Sequence, residues 1–284
     1  MPRLYPFLFV FLWSTGFIGA KYGLPFADPL SFLLARYALV ILLMAAVVWL
    51  SRAPWPEKPM YWLHIGVSGV LVHAIYLGGV FVAIKHGLPA GITALVVGMQ
   101  PLLTAFGAGR LLGEKVSGRQ WGGLALGLVG VGLVVSDKFG DGLALGPMLL
   151  PALLALFGIT LGTLYQKRFC PSFDLRSGAL IQFVPSAIVT MLAIALFGEF
   201  HIEWNGPFAF ALGWLVLVLS IGAISLLNLL IRSGSAVNVA SLFYLTPPTT
   251  ALIAWAVFGE KLSLLAAVGM LLAVSGVYLV ARAK

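Results

Sequence analysis

Residues 90–115 read AGITALVVGMQPLLTAFGAGRLLGEK, and residues 236–261 read AVNVASLFYLTPPTTALIAWAVFGEK. Both stretches carry a proline twelve positions before a glycine and close on Gly-Glu-Lys: Pro101 with Gly113, Glu114 and Lys115, then Pro247 with Gly259, Glu260 and Lys261. In a chain where only 9% of residues are charged, a Glu-Lys pair repeated at an offset of 146 marks a register. Carrying that offset outward pairs residues 87–135 with 233–281 without a gap, and 16 of the 49 positions are identical. Composition inflates the Ala, Val and Leu matches, but not those of Pro, Glu and Lys. The same offset pairs Gly16 with Gly162, Lys21 with Lys167 and Arg36 with Gln182. The reading is therefore a duplication of the whole half, residues 1–143 and 144–284.

What is duplicated belongs in a bilayer. The 284 residues are 61% hydrophobic with a mean hydropathy of +1.06, and nine acids with seventeen bases cannot clothe a water-soluble surface of that size. The net charge of +8 does not indicate nucleic acid, because the bases stand singly at the ends of apolar runs rather than on one phosphate-tracking face. Cys170 is alone, so no intrachain disulfide forms and the redox compartment is not marked. The start, MPRLYPFLFVFLW (1–13), has a base ahead of an apolar stretch as a signal peptide does. It lacks a small-x-small cleavage site and stays apolar to Ala20, so it reads as a retained first span.

Apolar stretches long enough to cross ~30 Å of hydrocarbon as helix recur with short polar punctuation. They fall near 4–23, 28–50, 60–85, 88–109, 117–136, 145–167, 174–198, 207–230, 235–257 and 262–282, which is an all-α integral membrane protein of ten transmembrane helices. No segment shows the polar alternation of a barrel wall. With the N-terminus placed in the cytoplasm, twelve Lys and Arg fall at inside ends and four (Lys21, Lys85, Lys138, Lys261) at outside ends, a positive-inside bias with both termini cytoplasmic. Because five spans is an odd number, the second half enters the membrane from the opposite face. The expectation is a 5+5 inverted repeat, the architecture from which many secondary transporters build two alternately open gates.

The two Gly-Glu-Lys stretches, together with WSTGFIGAKYGLPFADPLSFLLARY (13–37), resemble the drug/metabolite transporter superfamily, specifically its EamA-type ten-helix members. The resemblance covers essentially the whole chain. It implies a central cavity between the halves and transport of a small metabolite, with export of an amino acid or related compound as the expected function. A passive facilitator and a lipid or nucleotide-sugar translocator of the same fold remain open. The expected setting is the inner (plasma) membrane, with a small-molecule substrate, no cofactor, no metal, and a monomer or weak homodimer.

Arg36 lies about eight residues inside the second span, where a charge costs on the order of 2.5 to 3.5 kcal/mol by insertion scales. All nine carboxylates fall at span ends or in loops. Arg36 therefore either meets an anionic substrate group or snorkels towards Asp28 and helix-end carbonyls. His73 is the one histidine near mid-span; it is the candidate for proton coupling, or else a link between helices. Trp13, Ser14, Tyr76, Gln100, Thr163, Asn228, Asn238 and Tyr244 are the neutral cavity candidates, suited to a small amphiphilic metabolite, although each alone could be an interhelical bond worth ~0.6 kcal/mol. Pro101 and Pro247 interrupt corresponding helices and are the candidate hinges, or else static kinks. Small residues at 122–132 and at Gly269, Ala273 and Gly276 permit close packing of spans five and ten, or a dimer contact.

The rival class is an intramembrane serine hydrolase, since GVSG (66–69) places Ser68 five residues before His73. Five positions apart on one helix, the two side chains point to different sides, and no zinc-binding His-Glu-x-x-His is present.

Overall fold

The computed structural model describes residues 4–88, 93, 96–136, 149–170, 172–258 and 263–283. Within them the chain runs almost wholly as helix. We number the helices α1 (Tyr5–Gly23), α2 (Pro29–Ser51), α3 (Pro59–Lys85), α4 (Gln100–Leu112), α5 (Gly118–Ser136), α6 (Leu149–Phe169), α7 (Leu175–Phe197), α8 (Gly206–Ser233), α9 and α10 (Leu264–Arg282). Helix α9 starts as Ala236–Ser241, tightens into a 3₁₀ turn at Leu242–Leu245 and continues as Thr246–Phe258. Among the described residues, eight helices are long and apolar enough to cross a membrane. Only about a third of α2, α7 and α10 is buried, and their outer faces expose Leu42, Leu196 and Leu271, which hydrocarbon rather than water can cover.

Local chemistry sets the ends. Proline occupies the first turn of α1, α2, α3, α4 and α8, where its missing N–H would have no helical partner anyway. Asn205, Ser235 and Ser263 cap α8, α9 and α10 by accepting from the backbone N–H three residues on. Gly113 ends α4 in the left-handed conformation, φ +68°. Its neighbour Glu114 accepts from the backbone N–H of Ala236 at 3.0 Å, so the first Gly-Glu-Lys both stops α4 and caps the start of α9. The second copy, Gly259 to Lys261, lies outside the described residues.

Two helix pairs run antiparallel and pack along their lengths. Helices α5 and α10 meet through glycine. A Cβ on Gly130 would stand 2.6 Å from the Gly269 carbonyl oxygen, and one on Gly276 would stand 2.5 Å from that of Gly123. Helix α2 lies against α7 and is tied to it at both ends. At one end Ser31 Oγ donates to the Glu199 carbonyl, and a short bridge joins Ala27 to Ile202; at the other, Ser177 Oγ donates to the Pro54 carbonyl. Around these pairs Gly16 of α1 sits on Leu219 of α8, and Gly162 of α6 sits on Val72 of α3. Lysines join the ends of two other pairs, α3 to α1 and α6 to α8. Lys85 Nζ donates to the carbonyls of Leu24 and Ala27, and Lys167 Nζ to those of Ile231 and Gly234.

Helices α3 and α8 each contain a π-helical stretch, Val70–Leu77 and Leu215–Ala223. Such wide turns redirect side chains and occur often at functional sites. Nothing in the apolar pattern of these spans announces them. The two prolines also differ from simple mid-helix kinks. Pro101 and Pro247 each stand in the first turn of a new helical segment, following a hydrogen-bonded turn at Val96–Met99 and the 3₁₀ turn respectively.

Candidate substrate cavity

A narrow cavity of about 40 Å³ opens among α1, α2, α3 and α8. Its wall is apolar and aromatic, with Trp13, Phe17, Tyr76, Phe81, Leu215 and Leu219 around one charge, Arg36. Trp13 and Tyr76 stack with centroids 6.2 Å apart and planes 11° from parallel. The π-turns of α3 and α8 supply Tyr76, Leu215 and Leu219, so the unusual backbone shapes the chamber directly.

Arg36 is buried and does not turn back to Asp28. Its Nε donates to Ser220 Oγ in the α8 π-turn at 2.8 Å. No described side chain or carbonyl takes a hydrogen bond from its two terminal amino groups. A guanidinium held by Nε presents its remaining fork to whatever enters, which is the geometry for gripping a carboxylate or phosphate with two bonds.

At the position matching Arg36, the other half is filled rather than open. Gln182, Gln166 and Asn228 form a closed ring of amides. Gln182 Nε2 donates to Gln166 Oε1 at 3.3 Å, Gln166 Nε2 to Asn228 Oδ1 at 2.9 Å, and Asn228 Nδ2 to Gln182 Oε1 at 3.4 Å, while Gln182 also donates to Ser68 Oγ. Breaking one member strands the partners in an apolar interior at about 1–3 kcal/mol. Gln182→Leu is thus expected to lower the melting temperature of the purified protein, whereas Gln166→Leu combined with Gln182→Leu should cost less than the sum of the single changes. Thermal unfolding of the three variants in one detergent checks this.

A second, smaller chamber of about 10 Å³ is lined by Gln100, Thr163 and Lys167. Gln100 Nε2 reaches Thr163 Oγ1 at 3.5 Å, and its Oε1 finds no acceptor role among the described residues. Phe243 lines this chamber and meets Trp13 edge-on at 5.3 Å, so an aromatic wall of Phe9, Trp13 and Phe243 separates the two spaces.

The structure therefore gathers Trp13, Arg36 and Tyr76 in the main cavity and Gln100 with Thr163 in the second. Asn228 is in the amide ring. Ser14 binds the carbonyls of Val10 and Thr246, tying α1 to the Pro247 break. His73 is fully buried, stacked on Phe183 at 4.1 Å, with both ring nitrogens unbonded among the described residues. Tyr244 packs against Gly127 between α9 and α5, and Asn238 accepts from Gln120 at the start of α9; neither lines either chamber. Ser68 donates to the Ile65 carbonyl and makes no bond with His73, so no nucleophile–base pair is formed. Sequence reasoning did not single out Ser220 or Phe243. Serine is too common in such helices to be noticed, and Phe243 is one of nineteen phenylalanines.

Eight apolar, membrane-length helices among the described residues, with a buried arginine lining an aromatic chamber between them, are features expected of a membrane transporter. The EamA-like transporter family matches residues 3–136 and again 146–282, and the chain belongs to that family. It is 30% identical to "Uncharacterized inner membrane transporter YedA" of Escherichia coli K12, over 90% of this chain and 83% of that protein. It is 28% identical to "Uncharacterized transporter YvbV" of Bacillus subtilis, over 95% and 88%. The "Probable amino-acid metabolite efflux pump" of Escherichia coli K12 is 26% identical over 96% and 92%. A solved crystal structure at 22% identity superposes with a TM-score of 0.76, covering 97% of this chain and 94% of that one, and shares the fold.

Proposed function

We propose that this chain is an inner-membrane permease that moves a small organic metabolite bearing an anionic group through the α1–α2–α3–α8 cavity by alternating access. The observation that carries the reading is Arg36, a buried cation whose terminal amino groups have no carboxylate partner among the described residues. Evolution keeps such a charge in hydrocarbon only against a cost, and an anionic cargo repays it. Amino acids and related compounds are the class that one relative's name suggests.

The architecture we infer is ten spans in a 5+5 inverted repeat, residues 1–143 and 144–284, with both termini cytoplasmic. Three features support it. The family pattern matches once in each half. The π-turns at Val70–Leu77 and Leu215–Ala223 stand at matched places in the two halves. The contacts are reciprocal at the offset of 146, since Gly130 meets Gly269 where Gly123 meets Gly276, and Ser31 reaches the α7–α8 connection where Ser177 reaches the α2–α3 connection. A two-fold axis in the membrane plane makes a helix pack antiparallel against its own counterpart, as α2 does with α7 and α5 with α10. Rocking about the helix breaks at Pro101 and Pro247 would open the aromatic wall first to one chamber and then to the other.

Counterflow of isotope-labelled metabolites in proteoliposomes tests transport, and uptake no greater than in empty vesicles sinks it. Labelling of Ser68 by a fluorophosphonate would move the protein to the hydrolase class instead. His73, with two unbonded ring nitrogens, stays the residue proposed for proton coupling. His73→Gln is expected to leave flux but remove its dependence on an imposed proton gradient. If that dependence persists, His73 has no coupling role.

A further inference from the structure

We infer that the cargo of the Arg36 cavity is a monoanion with an apolar or aromatic body and no amino group: an aromatic or branched-chain carboxylic acid rather than the corresponding zwitterionic amino acid. The inference rests on the transport reading above and narrows it to a substrate class.

Among its described lining residues the chamber contributes one positive charge, on Arg36, and no negative one. A monoanion makes the filled site neutral. A zwitterion leaves the site at net +1 in a low-dielectric interior, and a dianion leaves it at −1; each is a net charge that desolvation penalises.

An ammonium group also needs acceptors for three N–H bonds. The wall around Arg36 is made by Trp13, Phe17, Tyr76, Leu215 and Leu219, and the Tyr76 hydroxyl is the only side-chain oxygen among its lining residues. The amides that could hold an ammonium, Gln166, Gln182 and Asn228, are spent on one another in the ring. The carboxylate end is provided for in contrast. Ser220 fixes the guanidinium through Nε at 2.8 Å and leaves the two terminal amino groups for a paired grip. The stacked Trp13–Tyr76 pair offers an aromatic surface to a ring.

Calorimetric titration of the purified full-length protein with phenylacetate, phenylalanine and phenethylamine at neutral pH separates the possibilities, since the three share a ring and differ in charge. The expected result is binding of phenylacetate at least tenfold tighter than of phenylalanine, no binding of phenethylamine, and at least a tenfold loss of phenylacetate affinity in Arg36→Gln. Arg36→Lys, which keeps the charge without the fork, is expected to fall between and guards against a folding defect. Equal or tighter binding of phenylalanine, or phenylacetate binding indifferent to Arg36, overturns the substrate class. Absence of binding by all three also overturns it. The metabolite counterflow assay then decides separately whether the transport reading survives: Arg36-dependent uptake of another labelled compound keeps it, and no uptake removes both.

Discussion

Replacing Arg36 by glutamine is expected to reduce flux of carboxylated substrates by about 10- to 150-fold, corresponding to loss of a charge-assisted grip worth about 1.5–3 kcal/mol. The same change should leave the protein as stable as before, or more stable. A charge within a span carries an insertion cost of roughly 2.5–3.5 kcal/mol, and the bond Arg36 makes among the described residues, to Ser220, is a hydrogen bond a glutamine could in part replace. Function falling while stability holds is the pattern of a residue retained for its cargo. A structural arginine behaves the other way, since its removal strands partners and lowers the melting temperature. Flux in proteoliposomes and thermal unfolding, measured on one preparation, distinguish the two. Neutral substrates should be affected less than carboxylated ones, and equal losses for both would take Arg36 out of recognition.

The second large effect concerns the α5–α10 seam. Gly276→Val is expected to destabilise by about 3 kcal/mol or more, at or beyond the upper end of the ~1–3 kcal/mol usual for overpacking. A Cβ at Gly276 meets three backbone atoms of α5, the Gly123 oxygen at 2.5 Å and Gly127 nitrogen and Cα at 2.6 and 2.8 Å, and backbone cannot rotate away as a side chain can. The control is Gly122→Val on the facing helix α5, where an added Cβ has nothing within 4 Å; its effect should stay within about 0.5 kcal/mol. Melting temperature and yield of monodisperse protein report both. If Gly276→Val instead leaves melting unchanged and alters only the oligomeric state, the glycine stripe serves a contact between protomers, contrary to the packing seen within one chain.

The two predictions differ in how legible their residues are from sequence. Glycine at helical spacing on spans five and ten already indicates close approach, because only a missing side chain lets helices touch in lipid, and the structure joins those two helices there. Arg36 is conspicuous too, since charge in an apolar run has a large and unambiguous cost. The neutral residues carry no such signal. Tyr76 and Tyr244 look alike in the sequence, yet one faces the cavity beside Arg36 and the other lies on Gly127 in the α5–α9 packing. Asn228 and Asn238 part in the same way, one into the amide ring and one to the start of α9. In water an amphipathic stripe would tell the inner face from the outer. In hydrocarbon both faces are apolar, so the stripe is faint and the facing of a lone Tyr or Asn is not written in the pattern.

The Gly-Glu-Lys pair shows where the division falls. From the sequence alone come the membrane class, the helical spans, the offset of 146 and the family. These rest on length, apolarity and identity, quantities that local chemistry sets without reference to the rest of the chain. The repeat also predicts that Gly113 ends a helix, and the left-handed φ of +68° there agrees. Tertiary structure decided what the sequence could not: that Glu114 caps α9 through Ala236, that two π-turns open α3 and α8, and that Ser220 holds the Nε of Arg36, which lines an aromatic chamber. Each joins atoms more than 100 residues apart or spends a backbone bond on a wider turn, and such choices are settled by packing between helices rather than by propensity along one.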